Sequence, residues 1–339
     1  MKTALVIGSR GMDGSNLCKY LLDEGYTVIG ADRHSSSPNY WRHKELGIEN
    51  KFTIESIDLT DFASVGKIVN TYKPDEIYNL GAMSFVGESF KQPVATFNVN
   101  ANGQLNVLEA VRNFSPSSKL YFASTSETFG KVQQVPQTEE TPFYPRSLYG
   151  CAKLAGFDLT RNYREAYGLY ACSGILFNHE GPLRGEEFVT RKITSNVAKW
   201  YYGKLKTFEL GNLNSERDWG DSEDYVIAMN LMLQQNIPDD FVIATGNTRS
   251  IRDFIKVCFE YICIDIEFVG EGLGEKVMVK SYEDPIITIN KNFFRPTEVD
   301  QLVGNYAKAK KILGWEPETS FKQLVFNMME ADIEREKIR

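Results

Sequence analysis

Histidine and cysteine are scarce in this chain, and long apolar runs are missing. Three histidines (His34, His43, His179) and five scattered cysteines (Cys18, Cys151, Cys172, Cys258, Cys263) form no CxxC pair. That leaves too few grouped ligands for a structural zinc site or a disulfide framework. No stretch reaches the roughly 18–20 uninterrupted apolar residues of a membrane helix, and the N-terminus runs straight into a strand without a signal peptide's charged, apolar and cleavage regions. The expectation is a cytoplasmic protein with no membrane partner. Basic residues are in deficit too: 38 Lys and Arg against 45 Asp and Glu give a net charge of −7. A phosphate backbone requires a concentrated basic face, so no nucleic-acid partner is expected, and an anionic ligand has to be met by local cations.

What is present is an alternation. MKTALVIGSRGMDGSNLCKYLLDEGYTVIGADR reads as strand, glycine turn, helix, a stop at Gly25 and a second strand. FTIESIDL, EIYNLGA, KLYFAST and LYACSGILFN continue as strands, separated by helical patterns such as DFASVGKIVNTYK and SLYGCAKLAGFDLTRNYREAYG. Strands alternating with helices of this length predict a doubly wound parallel sheet of Rossmann type, covered on both faces. Beyond Asn178 the pattern loosens. The expected division is a dinucleotide-binding domain over 1–178, rejoined by about 221–250 through the strand FVIATG, and a smaller C-terminal α/β lobe over 179–339.

Gly8, Gly11 and Gly14 follow a strand and open a helix, where bare backbone amides and the helix N-terminus can hold a pyrophosphate. Gly8, Arg10, Gly11, Met12, Asp13 and Gly14 are therefore candidate cofactor contacts. Asp32, ending the second strand, stands where a carboxylate binds an adenine ribose. It would repel a 2′-phosphate that Arg10 and Arg33 would attract, although a surface ion pair accounts equally for Asp32 and Arg33. Asp58 and Leu59 after the third strand, and Leu80, Gly81, Ala82 and Ser84 after the fourth, lie at the carboxyl ends where ligands of open sheets bind.

Tyr149 and Lys153 are four apart in YGCAK and so share a helix face. A lysine charge beside a phenol favours phenolate, and lowering a pKa from about 10 to near 7 asks for about 4 kcal/mol. Thr125, at the end of a strand, can bond the oxygen that Tyr149 deprotonates, which is equipment for taking hydride off a carbinol. Glu127 follows at once. Oxidation of a sugar carbinol makes the hydrogen on the next carbon acidic, and a carboxylate placed there can remove it as general base and then protonate a departing hydroxyl.

Several long stretches, among them EIYNLGAMS, STSETFGKVQQVPQTEETPFYPRSLYGCAK, GILFNHEGPLRGEEFVTRKI, LGNLNSERDWG and RPTEVD, resemble GDP-mannose 4,6-dehydratases, within the extended short-chain dehydrogenases, over nearly the whole chain. The resemblance implies a lyase that oxidises C4 of a GDP-sugar, eliminates water across C5 and C6 and returns the hydride to C6. Thr125, Glu127, Tyr149 and Lys153 are then catalytic, and His179 and Arg184 join Lys153 and the glycine turn at a tightly bound NADP. Ser84, Ser126, Asn178, Lys192, Arg217, Arg295 and Glu298 would hold the substrate. Departures from the family pattern at Arg10, Met12, Asp32 and His34 leave NAD as the alternative cofactor. Those at Met83, Phe85, Leu183 and Asp221 leave GDP-manno-heptose as an alternative substrate. An epimerase or 4-dehydrogenase on the same scaffold is the alternative activity, and a non-catalytic dinucleotide-binding regulator is a third reading. The resemblance also implies a homo-oligomer, dimer or tetramer, with the loop carrying Tyr40 and Trp41 reaching a neighbouring subunit; burial of those rings in their own subunit is the competing expectation.

Overall fold

The computed structural model describes residues 1–280, 282–294 and 301–338. The first half alternates as its sequence period requires: β1 (Thr3–Ile7), α1 (Met12–Asp23), β2 (Thr27–Asp32), α2 (Trp41–Glu45), β3 (Thr53–Ser56), α3 (Phe62–Tyr72) and β4 (Glu76–Asn79). The next helical run is divided into α4 (Val86–Ser89), α5 (Pro93–Phe97) and α6 (Gly103–Phe114), with a π turn over Asn98–Asn102 joining the last two. Then come β5 (Lys119–Ala123), α7 (Leu148–Tyr167), β6 (Ala171–Leu176), β7 (His179–Glu180), α8 (Val189–Tyr201), β8 (Phe208–Leu210), β9 (Glu216–Asp218), β10 (Gly220–Asp221), α9 (Ser222–Gln234), β11 (Phe241–Ile243), β12 (Thr248–Ser250) and α10 (Ile251–Tyr261). β13 (Ile266–Val269), β14 (Lys276–Val279), β15 (Ile287–Ile289), α11 (Ala307–Leu313) and α12 (Phe321–Ile338) complete the described chain.

Among the described residues, seven strands form one parallel sheet in the order β11-β6-β5-β4-β1-β2-β3. The order reverses direction between β1 and β4, and a doubly wound sheet opens its ligand crevice there, at the carboxyl ends of its strands. Side chains alternate along β1: Ala4 and Val6 enter one apolar cluster with Leu17 and Leu21 of α1 and Met229 of α9, while Leu5 and Ile7 enter another with Val65, Leu108 and Val111. Both faces are therefore dry, which is why the strands read as continuous apolar runs. A third cluster, built on Ile193, Trp200, Trp219, Phe254, Val277, Leu324 and Met328, packs the four-stranded sheet β13-β14-β15-β8 against α8, α10 and α12. No described helix is long and apolar enough to cross a membrane.

Candidate active site

The turn between β1 and α1 works because three of its positions lack a side chain. Gly8 sits at φ +89°, and a Cβ there would lie 3.0 Å from the Gly81 amide nitrogen; a Cβ on Gly14 would lie 2.1 Å from the Gly8 carbonyl oxygen. The bare turn lets α1 start directly against the sheet. Gly11, its N-cap, offers no capping side chain, so the first-turn amides stay available to an anion. Asp32, at the tip of β2, accepts from the Ser9 hydroxyl and, at 3.2 Å, from the Arg10 amide. Backbone cradle, unsatisfied helix amides and a carboxylate at the strand tip together fit a dinucleotide. Gly14→Ala is expected to force α1 off the turn, costing on the order of 1–3 kcal/mol and abolishing dinucleotide binding; thermal denaturation and calorimetric titration with the dinucleotide check both.

α7 brings the candidate reacting groups together. The Ser147 side chain caps it by accepting from the Gly150 amide at 3.0 Å. A Cβ on Gly150 would lie 2.7 Å from the Glu127 carbonyl oxygen, so the absence of a side chain lets the start of α7 press against the 3-10 turn Ser126–Thr128. That turn is itself capped by Thr125, whose hydroxyl accepts from the Glu127 amide at 3.2 Å. Thr125, Glu127, Tyr149 and Lys153 are 8%, 7%, 8% and 2% exposed, so all four work out of bulk water. Burial raises the Tyr149 phenol above its ordinary range; a hydrogen bond with Thr125 and the charge of Arg184 work to lower it, and the charge of Glu127 to raise it. The phenol is thus within reach of the hydroxyl and in the field of the carboxyl.

Lys153 is anchored on the end of β5. Its Nζ donates to the Ala123 carbonyl at 2.8 Å, and burial pushes its pKa down to about 7, so it is no permanent cation beside the phenol. Burial thus favours the protonated phenol in the protein alone, and a further positive charge in the site, of the kind an oxidised nicotinamide carries, favours its loss.

The expected substrate contacts within the described residues lie on several separate elements. Ser126 is buried in the turn beside Glu127, whereas Ser84 is exposed beyond β4. Asn178 accepts the Gly220 amide through its carbonyl, which fastens β10 beside β7. Lys192, on α8, rests its ammonium 3.5 Å from the centroid of the Phe293 ring, and burial lowers its pKa. Arg217, on β9, is 8% exposed and donates to the Glu216 carbonyl. Arg295 and Glu298 lie outside the described residues. At the cofactor end, Met12 and Leu59 are buried, Leu80, Gly81 and Ala82 half-buried, and Arg33 and Asp58 exposed.

Comparison with known proteins turns this geometry into a family assignment: the family described as GDP-mannose 4,6 dehydratase matches residues 5–328. The chain belongs to that family. It is 48% identical over 341 residues to the GDP-mannose 4,6 dehydratase of Drosophila melanogaster, covering 98% of this chain and 86% of that protein. Identity to the GDP-mannose 4,6 dehydratase of Homo sapiens is also 48%, over 339 residues, covering 98% and 91%. Among solved structures, DesIV from Streptomyces venezuelae, a dTDP-glucose 4,6-dehydratase with NAD and TYD bound, has a TM-score of 0.83 at 19% identity, covering 99% of this chain and 98% of that one. At that identity the likeness is one of fold.

In this member of the GDP-mannose 4,6-dehydratase family, sequence reasoning missed the residues that organise the glycine turn. His43 of α2 is fully buried, with Nε2 2.9 Å from the Ser9 carbonyl oxygen, while Arg42 donates to the carbonyls of Arg10 and Leu183. Trp41 lies beside three guanidiniums, those of Arg42, Arg191 and Arg335, at 4.6, 5.5 and 5.3 Å from its ring, so within the subunit it already packs against its own chain. Asn100, in the π turn, accepts from the Met83 amide and donates to its carbonyl, fixing the loop after β4. A π turn beside a ligand crevice is a recurrent placement, and it had no signature in the helical period.

His179 forms the second surprise. Its Nδ1 lies 2.8 Å from the Phe177 carbonyl oxygen and its Nε2 2.9 Å from Asp13 Oδ2, so both ring nitrogens face acceptors and both are satisfied only as imidazolium. Ser222 donates to the other Asp13 oxygen. Burial works to lower the His179 pKa, but Asp13 outweighs it and holds it above 6.5; burial works to raise Asp13, but His179 outweighs that and holds it below 3.8. Nearby, Arg184 Nε lies 2.9 Å from Glu180, an ion pair rather than an aligned hydrogen bond. Asp221 caps α9 and is pushed up to about 7 by burial.

The raised histidine contributes stability below its unfolded value of 6.5, lost as pH rises through its folded value. The depressed aspartate contributes above 3.8, lost as pH falls through its own. The melting-temperature advantage of the native protein over His179→Gln should therefore be largest between these values and shrink above 6.5, as a denaturation series across pH will show.

Proposed function

We propose that the chain is a GDP-mannose 4,6-dehydratase, a hydro-lyase that uses a nicotinamide dinucleotide without net consumption. The carrying observation is the shared burial of the Tyr149 phenol, the Thr125 hydroxyl and the Glu127 carboxyl. The bound dinucleotide supplies one piece of chemistry, accepting the C4 hydrogen as hydride and giving it back at C6. Everything else falls to the protein. Tyr149 takes the proton of the 4-hydroxyl, and Thr125 holds that oxygen in line. Lys153, anchored on Ala123, fixes the floor of the site. Glu127 removes the C5 proton, made acidic by the C4 carbonyl, delivers it to the C6 hydroxyl so that it leaves as water, takes up a proton from solvent, and gives that proton to C5 when hydride arrives at C6. Atoms balance: the sugar loses one water, the cofactor ends as it began, and the proton that Tyr149 took from the 4-hydroxyl returns to solvent, offsetting the one taken up for C5.

Lys192 and Arg217 are the cations suited to the diphosphate. Gly8, Gly11 and Gly14 with the start of α1 take the pyrophosphate of the cofactor, and His179 and Arg184 border it. Whether the adenine ribose carries a hydroxyl or a phosphate at its 2′ position is decided at the tip of β2. The relatives named above carry the mannose name, and a GDP-manno-heptose substrate finds no specific support in them. Assembly into a homo-oligomer belongs to the same reading, with the exposed Phe90, Val94 and Phe97 as candidate contacts.

Incubation with GDP-mannose followed by mass spectrometry tests the assignment. Loss of one water is the expected result. A net change of two hydrogens identifies a 4-dehydrogenase, an isomer of unchanged mass an epimerase, and either outcome removes the dehydratase reading, as does unreacted substrate.

A further inference from the structure

The charges at the tip of β2 balance, and they do so through contacts that the glycine motif does not require. Asp32, 9% exposed, accepts from the Ser9 hydroxyl at 2.5 Å and from the Arg10 amide at 3.2 Å, and its Oδ2 lies 3.4 Å from Arg10 Nε. The same guanidinium donates through Nη2 to the Arg33 carbonyl at 2.6 Å and lies over the Tyr40 ring, 5.8 Å from its centroid. Arg10 is thus laid against the strand tip with its charge already answered. Arg33 is exposed, and its charge falls on Asp58, whose carboxyl is held below the ordinary range first by Thr60 and, more weakly, by Arg33. Two cations, Arg10 and Arg33, stand against two carboxylates, Asp32 and Asp58.

We propose that this site selects NAD over NADP, and that Asp32 is the residue that decides. The inference rests on the dinucleotide reading of the glycine turn. A 2′-phosphate carries roughly −1.5 to −2 charges and needs cations that are not already neutralised. Here it would meet a carboxylate held in place by Ser9 and the Arg10 amide. A 2′-hydroxyl meets the opposite situation. A carboxylate offers about four acceptor positions, and the three contacts made to Asp32 leave one for a ribose hydroxyl. Ser9 contributes by orienting that carboxylate and is a positioning residue.

Protein stripped of dinucleotide, titrated calorimetrically with NAD⁺ and with NADP⁺ separately, gives the test. The native protein should bind NAD⁺ at least about tenfold tighter, since like charges brought together cost several kcal/mol. Asp32→Asn keeps an oxygen for Ser9 and the Arg10 amide but removes the charge and frees the Arg10 guanidinium; NADP⁺ should tighten by about tenfold, with a smaller loss for NAD⁺. Arg10→Met, which removes the counterion, should widen the NAD⁺ preference. Native protein that binds NADP⁺ as well as NAD⁺ or better overturns the proposal, and so does an Asp32→Asn protein, folded by its thermal transition, whose ratio is unchanged. Folded native protein that binds neither dinucleotide overturns the cofactor reading itself, a separate result.

Discussion

Tyr149→Phe is expected to lower kcat by about 10²–10⁴-fold, the range of a lost general base, with little change in KM for the GDP-sugar. The ring keeps its place at the start of α7, where Ser147 caps the helix and Gly150 admits the Glu127 backbone, so the fold should survive. Only the hydroxyl goes, and with it the hydrogen bond to Thr125. A fall in kcat and kcat/KM by the same factor is the signature of an interaction made in the transition state rather than on binding. The phenol, raised by burial, also predicts a rate that climbs with pH. A variant turning over within about tenfold of the native rate, below the smallest loss a general base leaves, would show that another group takes the C4 proton.

Glu127→Gln should separate the two halves of the reaction. The amide has nearly the shape of the carboxyl and preserves the backbone contact to Thr125, but it can neither accept a proton at C5 nor pass one to the C6 oxygen. Water loss should fall by about 10²–10⁴-fold while oxidation at C4 persists, and exchange of the C5 hydrogen with deuterated solvent should fall with it. Following that exchange by NMR, alongside water loss by mass spectrometry, distinguishes the two steps. Water loss at the native rate would assign Glu127 another task, such as holding the substrate.

The parts of this account that were legible in the sequence are those written in local pattern. Alternate apolar residues along β1 face opposite clusters, so a buried parallel strand is readable from five residues. Tyr149 and Lys153 share a helix face because of their spacing, and the strand ending in hydroxyls reads as a strand end because its apolar run stops. Arg42, His43 and Arg335 were not legible. Arg42 reaches Leu183 across 141 positions and Arg335 reaches Glu45 across 290, and no period encodes such a meeting. For Lys153 the helix face shared with Tyr149 was readable, but the depth of burial that lowers its own pKa belongs to the folded state. The place of Asp32 at the tip of β2 was readable, whereas its neutralising grip on Arg10 was not.

The most direct test of the central claim, that Tyr149 and Glu127 serve neighbouring carbons of one sugar, is turnover of GDP-mannose in deuterated water with the product read by mass spectrometry and NMR. The account predicts a sugar lighter by one water that carries one solvent deuterium, at C5, with none at C6. A dehydrated product with solvent deuterium at C6, or one that keeps its original C5 hydrogen, would contradict it.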